Sequence, residues 1–526
     1  MFGANRRELV GSTRYVPNAR NKPCLAFMRV PGLVRRMAGC WVKKKDQKRS
    51  VLVHHQGMAT HLPFTIDLSA KITLAEQIRR GITDAIDKGL LVPGARLPSW
   101  RDLAAQLGVA RGTVRTAYER LADAQLIVSS TPGGTRVAER PAMPRQVDVP
   151  GNRSSFIPGV YREFSAAPAI FQMGVPAQDC FPYKLISRIR ARTVRAEDHV
   201  AASCPDPRGE LELRRELAVQ LAIARGIECT PSQIIVTSGF SGGLGLTLRV
   251  LGLEGRTAWV EDPSFPLTRK GLEIARLQLM PVPVDEQGLD VAQGLNAAPE
   301  AALVVVTPGQ QAPLGATLSL ERRIRLLEWA AEKKAWIIED DYLSELKLRG
   351  RSAPALASLD KQGRVIHLGS FSKTISPTFR LGFIVAPVNI AGQFAEAAAC
   401  LGPAPGPSVQ IATAQLMRDG HYMRHLRRTK RIYAQRSEAL IRCLESRGYR
   451  TSAAALAVLL HLPAGVADTV IAEKARAFGL APSPLSPWYV SETARASGLL
   501  LNVAAAPMQS IPSACERLCE IIGRSG

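Results

Sequence analysis

No stretch of this 526-residue sequence is apolar for the roughly 18 residues that a membrane span requires, so no transmembrane helix and no membrane partner are expected. The nine cysteines contain no CxxC pair, are scattered and are odd in number. That usage suits a reducing cytoplasm, argues against a disulfide framework and offers no metal-type spacing, so no metal site is expected. No internal repeat is present. Acidic residues are scarce at the start: residues 1–57 hold thirteen Lys/Arg against Glu8 and Asp46, a net +11 in a chain whose total is +23. Such an excess suggests an anionic partner such as nucleic acid. Residues 1–62 also lack helical or strand periodicity and read as a basic leader. Three accounts of it stand open: an unstructured arm, a start assigned upstream of Met58, or an Arg-rich organelle transit peptide.

With 46% hydrophobic residues, the remainder can bury more than one core. The first patterned unit spans residues 63–139. Leu74, Ile78, Ile82 and Ile86 recur every four residues, as on one face of a helix. Pro93-Gly94 supplies a turn, Ser99 can cap a short helix carrying Leu103, Ala104 and Leu107, and Gly108 ends it. A third helix starts near Arg111, with Val114, Ala117, Tyr118 and Leu121 inward. Ile127-Val128, the turn Pro132-Gly133-Gly134 and Thr135 to Val137 read as a hairpin. Together these predict a winged helix-turn-helix. Arg111 and Arg115 stand four apart near the start of the third helix, where a guanidinium fork can meet a guanine edge in the major groove. Gly112 lets backbone approach closely, Thr113 can reach a phosphate, Arg101 is placed for the DNA backbone, and Gly134 belongs to the tip of the wing.

Residues 140–167 carry four prolines between Arg140 and Ala166 and no period, and read as a linker. Over 168–526, short apolar runs (Ile234–Thr237, Ala258–Val260, Leu303–Val306, Trp336–Ile338, Val365–Leu368, Phe383–Val385) alternate with helical segments. That alternation predicts an α/β fold with a mostly parallel central sheet, followed after Gly406 by a smaller, mainly helical subdomain.

Four segments of this second unit carry chemistry. In Ser370-Phe371-Ser372-Lys373, a lysine at a strand end can form a Schiff base with an aldehyde cofactor, and Arg380 can meet a phosphate. In Glu339-Asp340-Asp341-Tyr342, an acid at the end of a buried strand needs a cation, such as a protonated pyridine nitrogen. Tyr342 can hydrogen-bond a phenolic oxygen. Ser238-Gly239-Phe240-Ser241-Gly242-Gly243 opens a helix whose backbone N–H groups suit a phosphate. Glu261-Asp262-Pro263-Ser264-Phe265 offers a ring to stack on a planar cofactor.

The run Leu97-Pro98-Ser99, Arg101-Asp102-Leu103-Ala104, Leu107-Gly108-Val109 and Arg111-Gly112-Thr113-Val114-Arg115 resembles the GntR-type winged helix. The four chemical segments, in their order, resemble fold-type I aminotransferases. The phrases Asp206-Pro207-Arg208-Gly209, Thr307-Pro308, Pro313-Leu314-Gly315 and Gly420-His421 resemble the MocR/GabR-type regulators, in which the two are fused. The resemblance implies pyridoxal 5'-phosphate as cofactor. Lys373 would hold it covalently, Asp340 would pair with the pyridine nitrogen and Tyr342 would hold the ring oxygen. Ser370, Arg380 and the Phe240-Ser241 backbone would hold the phosphate, and Phe265 would stack on the ring. It also implies a homodimer in the bacterial cytoplasm that binds double-stranded DNA and responds to an amine, an amino acid or the cofactor itself.

Some positions depart from the resemblance. Ala110 stands where a Ser or Thr caps the recognition helix, and Trp100 replaces a polar residue. Cys204 stands where the family has a tyrosine reaching the partner subunit's cofactor phosphate, Ala312 replaces a tyrosine or asparagine near the ring oxygen, Gln310 replaces a histidine, and Phe240-Ser241-Gly242 replaces a small-Gln-Gln run. Leu499 to Val503 contains no arginine to clamp a substrate carboxylate. A regulator that senses a small molecule is therefore the first reading. A working aminotransferase carrying a DNA-binding domain is the second, and a DNA-binding protein with an inert dimerisation scaffold the third.

Overall fold

The computed structural model describes residues 51–55, 58–62, 66–67, 70, 72–130, 134–139, 167–197, 204–463, 465–492 and 495–524. The chain divides into two compact units, Met1–Gly151 and Asn152–Gly526. The division falls inside the stretch read as a linker; that stretch up to residue 166, the first fifty residues of the leader, and Pro132 and Gly133 lie outside the described residues. Among the described residues, no helix is long and apolar enough to cross a membrane.

The last dozen residues of the presumed leader are patterned after all. Strands β1 (Val51–His55) and β2 (Met58–Leu62) pair antiparallel, with Val51 opposite Leu62 and His55 opposite Met58. The alternation is too short to stand out in a sequence whose preceding fifty residues show none.

Helices α1 (Leu74–Asp87), α2 (Trp100–Leu107) and α3 (Arg111–Asp123) pack around one core with strands β3 (Ile127–Ser130) and β4 (Gly134–Val137). The inward stripe of α1 centres on Ile78, Ile82 and Ala85, while Leu74 and Ile86 are only half-buried at its edges. Ser99 caps α2 by accepting from the Asp102 backbone N–H at 3.2 Å, and Gly108 closes it at φ 63°. Tyr118 of α3 donates to the Pro98 carbonyl at 2.8 Å, which ties the third helix to the start of the second. β3 and β4 are antiparallel, with Ile127 opposite Val137 and Ser130 opposite Gly134.

The second unit is built on an eight-stranded sheet. In chain order its strands are β5 (Ile234–Thr237), β6 (Thr257–Asp262), β7 (Gln278–Asp285), β8 (Gly288–Leu289), β9 (Leu303–Val306), β10 (Trp336–Asp341), β11 (Val365–Ser370) and β12 (Gly382–Val385). Their spatial order is β5-β12-β11-β10-β9-β6-β7-β8, and only β12 and β8 run against the others. The expected runs all lie in this sheet. Ile235, Val236, Val304, Val305, Ile337, Ile338 and Ile366 are 0–5% exposed, as strands covered on both faces must be. The carboxyl ends of β5, β6, β9, β10 and β11 share one edge, where open α/β sheets bind ligands.

The chain after Gly406 is mainly helical, as expected, but it also holds a sheet that the sequence reading passed over. Its helices, including the 25-residue His421–Glu445, accompany a four-stranded antiparallel sheet. Strands β13 (Thr451–Ala454), β14 (Ala457–His461), β15 (Ser483–Pro484) and β16 (Gly498–Asn502) lie in the order β13-β14-β16-β15. These strands are short and rich in Ala and Leu, residues that favour helix when read locally. Tertiary pairing decides their state.

Candidate cofactor site and DNA-reading helix

Three consecutive acids close β10, and the structure treats each differently. Glu339 and Asp341 alternate with Asp340, so they face the opposite side of the sheet. Glu339 accepts from the backbone N–H groups of Leu356 and Ala357 at 2.8 and 3.0 Å and contacts His367 Nδ1 at 3.0 Å. Burial opposes its ionisation, but His367, the Ala357 N–H and Arg225 outweigh that and hold its carboxyl at about 2. Asp341 accepts from Arg225 Nε at 2.6 Å. Asp340 is buried, and its Oδ1 has no hydrogen-bond partner among the described residues. Burial, with Asp341 and Glu261 nearby, pushes its carboxyl well up, while Lys373 pulls it back. An orphaned buried carboxylate oxygen costs about 1–3 kcal/mol, so it calls for a donor from outside the chain.

Lys373 follows β11 and donates from Nζ to the Gly174 carbonyl at 2.9 Å. Burial lowers its ammonium to about 8, with Asp340 opposing the shift. Gly174 lies in a strap pinned by Asn502, which donates from Nδ2 to the Gln172 and Val175 carbonyls at 2.7 and 3.0 Å. Tyr342 comes just past β10, two residues beyond Asp340 and so on its side. Burial, then Asp340 and Glu261, raises its hydroxyl well above the usual range.

The candidate phosphate end is open. Ser370 pairs with Gly382 across β11 and β12, and Gly382 pairs in turn with Thr237 at the end of β5. Gly239, at φ 82°, precedes the helix Phe240–Leu251. A Cβ on Gly382 would lie 2.9 Å from the Gly239 carbonyl carbon, so the two backbones meet in a cradle that only glycine allows. Ser241 is exposed at the helix start, and Arg380 is exposed in the turn before β12. Ser370 Oγ donates to Ser372 Oγ at 3.0 Å. Phe240, the first residue of this helix, packs its ring partly against the core under the sheet.

Phe265 precedes the helix Pro266–Ile274 and lies 5.8 Å from the Trp488 ring, centroid to centroid. Four residues to which the sequence reading gave no role of their own organise this side. Glu261 accepts from Thr307 N and Oγ1 at 3.0 and 2.5 Å, and burial raises its carboxyl to about 7. Asp262 accepts from the N–H groups of Val490 and Ser491 at 2.7 and 3.1 Å. Arg269 donates to the carbonyls of Ser264, Pro487 and Trp488. Trp488 thereby becomes a fixed wall. Their partners stand more than two hundred residues away in the cases of Asp262 and Arg269, which no local pattern announces. Of the departures, Gln310 donates to the Leu343 carbonyl at 2.9 Å and so braces the backbone beyond Tyr342. Cys204 is exposed, and Ala312 is buried among apolar neighbours.

In the first unit, Arg111, Gly112 and Arg115 are exposed and Thr113 is half-buried at the start of α3. Arg115 Nε meets Glu119 at 2.8 Å, and Arg101 stacks over Trp100 at 4.9 Å. Ala110 occupies the N-cap with extended backbone and no side-chain cap. Gly134, at φ 75°, leaves room for Arg96, whose Nε would lie 3.3 Å from a Cβ there. Arg96 and Arg136, paired across the base of the wing, are further exposed cations that the sequence reading passed over.

Residues 74–137 match the family model of bacterial regulatory proteins of the gntR family, and residues 178–518 match aminotransferase class I and II. The probable rhizopine catabolism regulatory protein MocR of Rhizobium meliloti is 33% identical over 386 residues, 72% of this chain and 78% of the relative. The chain belongs to the MocR-type transcriptional regulators. The pyridoxine biosynthesis regulator PdxR of Corynebacterium glutamicum is 33% identical over 384 residues, 72% of this chain and 80% of its own. A Pyrococcus horikoshii kynurenine aminotransferase structure, 25% identical, superposes with a TM-score of 0.63 over 70% of this chain and 95% of that one. A GntR winged helix joined to a fold-type I aminotransferase fold in a MocR-type chain makes this protein a transcription regulator.

Proposed function

We propose that the aminotransferase-like unit of this regulator holds pyridoxal 5'-phosphate and uses it to sense a small amine, an amino acid or the cofactor itself. The observation that carries this reading is Asp340 Oδ1, buried and unpartnered while both neighbouring acids are satisfied. A protonated pyridine nitrogen supplies the missing donor and the missing positive charge together. Lys373 is the covalent anchor: an ammonium lowered to about 8 releases a nucleophilic amine near neutral pH. Tyr342 donates to the ring oxygen, and Phe265 covers the ring. Ser370, Arg380 and the N–H groups of Phe240 and Ser241 bind the phosphate. When bound, the cofactor supplies an aldehyde that condenses with primary amines and a ring that accepts electron density.

Occupancy shifts a homodimer between two states, and the arms reading DNA through Arg101, Arg111, Gly112, Thr113, Arg115 and Gly134 follow through the linker. Paired half-sites on double-stranded DNA suit two-fold symmetry, and the protein acts in the cytoplasm. Turnover of amino donors has Leu500 against it, which is fully buried among apolar side chains. The test is borohydride reduction of the full-length protein with pyridoxal phosphate, followed by peptide mass mapping. A pyridoxyl mass on Lys373 is expected; a folded protein with Lys373 unmodified overturns the cofactor assignment. For the DNA assignment, Arg111→Ala with Arg115→Ala abolishes operator binding and leaves that labelling intact. Undiminished binding overturns the recognition-helix assignment.

A further inference from the structure

Phe265 and Tyr342 share one apolar cluster with Met173, Leu314, Trp488 and Leu500. Leu500 is 0% exposed and Trp488 6%, so this wall is packed rather than solvated. Its geometry is fixed from three sides. Ser264 N donates to the Trp488 carbonyl at 3.0 Å, Asp262 holds the two residues after Tyr489, and Asp468 accepts from Ser486 N at 2.8 Å and Oγ at 2.6 Å. Arg269 reaches the same segment, but its guanidinium is taken up by main-chain carbonyls, with Ser264 at 2.8 Å and Pro487 at 2.9 Å. Of the cations assigned to the cofactor, Lys373 interacts with Asp340, and Arg380 stands in the turn before β12. The charges that do act on Tyr342 are acidic: Asp340, Glu261 and Asp341.

We infer that this wall selects the effector, and that it selects a primary amine bearing an apolar, uncharged group and no carboxylate. The inference rests on pyridoxal phosphate occupying the site between Lys373, Asp340 and Phe265. A carboxylate brought against the half-buried Met173, Phe265 and Leu314, which Leu500 and Trp488 back from behind, loses hydration and meets no cation within this cluster among the described residues, which disfavours it strongly. Aromatic surface from Phe265 and Trp488 rewards a flat or branched apolar substituent.

Phenethylamine and L-phenylalanine share ring and amine and differ by the α-carboxylate, so they isolate the claim. Full-length protein loaded with pyridoxal phosphate is titrated with each, reading the visible absorbance of the bound cofactor and the thermal unfolding midpoint. Phenethylamine is expected to act at a concentration at least about tenfold lower. An equal or stronger response to phenylalanine overturns the inference, and so does an equal response to ethanolamine, which is polar and also lacks a carboxylate. Leu500→Arg is expected to narrow or reverse the preference; if that variant does not fold, the wild-type titrations decide alone. A folded protein that takes up no pyridoxal phosphate overturns the cofactor assignment itself, and this inference with it. A loaded protein that prefers phenylalanine overturns the effector class only.

Discussion

At the start of α3, Arg111 and Arg115 stand in solvent, and the one ion pair there, Arg115 with Glu119, leaves the two side chains 69% and 55% exposed. At the ends of β10 and β11, Asp340 is 8% exposed and Lys373 is lowered to about 8, and four acids crowd the ends of β10 and of β6, with β9 between them. The two regions put the same residue types to different uses. In the first unit, charge is displayed, cheaply screened and free to meet phosphate or base edges. In the second, charge is held out of water, so its balance is decided by a few partners, and one oxygen is left for a ligand to satisfy. Substitutions in the first region should therefore change binding with little effect on folding. In the second they should change both.

The largest expected effect comes from Arg225→Ala. Arg225 is 3% exposed, donates to Asp341 at 2.6 Å and to the Ala353 carbonyl, and helps hold Glu339 ionised. Its removal takes the guanidinium from Asp341 and weakens the field that keeps Glu339 ionised, on the face of β10 opposite Asp340. Breaking a buried pair from one side typically costs about 3–5 kcal/mol. Urea unfolding of the full-length chain measures it, and a loss below about 1 kcal/mol, the range of exposed pairs, would erase the contrast drawn here.

A smaller effect is a difference in pH dependence. Glu261 is raised from its ordinary 4.5 to about 7 by burial. Between those values the folded chain keeps a proton that the unfolded chain has released, so stability falls as pH rises from 4.5 to about 7. The slope from this group is at most about 1.4 kcal/mol per pH unit. Glu339, held at about 2, acts the other way: its contribution is present above 4.5 and is lost as pH falls through about 2. Glu261→Gln should flatten the decline between pH 4.5 and 7 in thermal or urea unfolding and leave the acid limb unchanged. An identical slope in the variant would show that Glu261 ionises in the folded protein as it does in water.

The same contrast explains what could be read from residues alone. The winged helix was legible almost residue by residue, because its core face is set by local spacing: Val114, Ala117, Tyr118 and Leu121 are all buried. That Lys373, Asp340 and Tyr342 fall at adjoining strand ends was legible because a strand end followed by such residues forms a compact local phrase. The parts played by Glu261, Asp262, Arg269 and Trp488 were not, since their partners come from distant segments: Thr307 for Glu261, and residues 487–491 before β16 for Asp262 and Arg269. The small antiparallel sheet was missed for the same reason. Its strands acquire their state from pairs such as Val458 with Leu501, made across more than forty residues.

The smallest expected effect tests the display side of the comparison. Ala110 sits at φ −62° and ψ 140°, the backbone of an N-cap, but offers no side-chain oxygen to the first turn of the recognition helix. The Thr113 N–H instead reaches the Ala110 carbonyl at 3.0 Å, as in a tight turn. Ser99, in the same backbone geometry at the head of α2, does supply that oxygen. Ala110→Ser should therefore add a cap worth about 1 kcal/mol to α3. The gain is local, so it should raise amide-exchange protection in the first turn of α3 while leaving pyridoxal phosphate loading unchanged. Unaltered protection would mean that the first turn is already satisfied. A change in cofactor loading would mean that the exposed reader and the buried cleft are less independent than their chemistry implies.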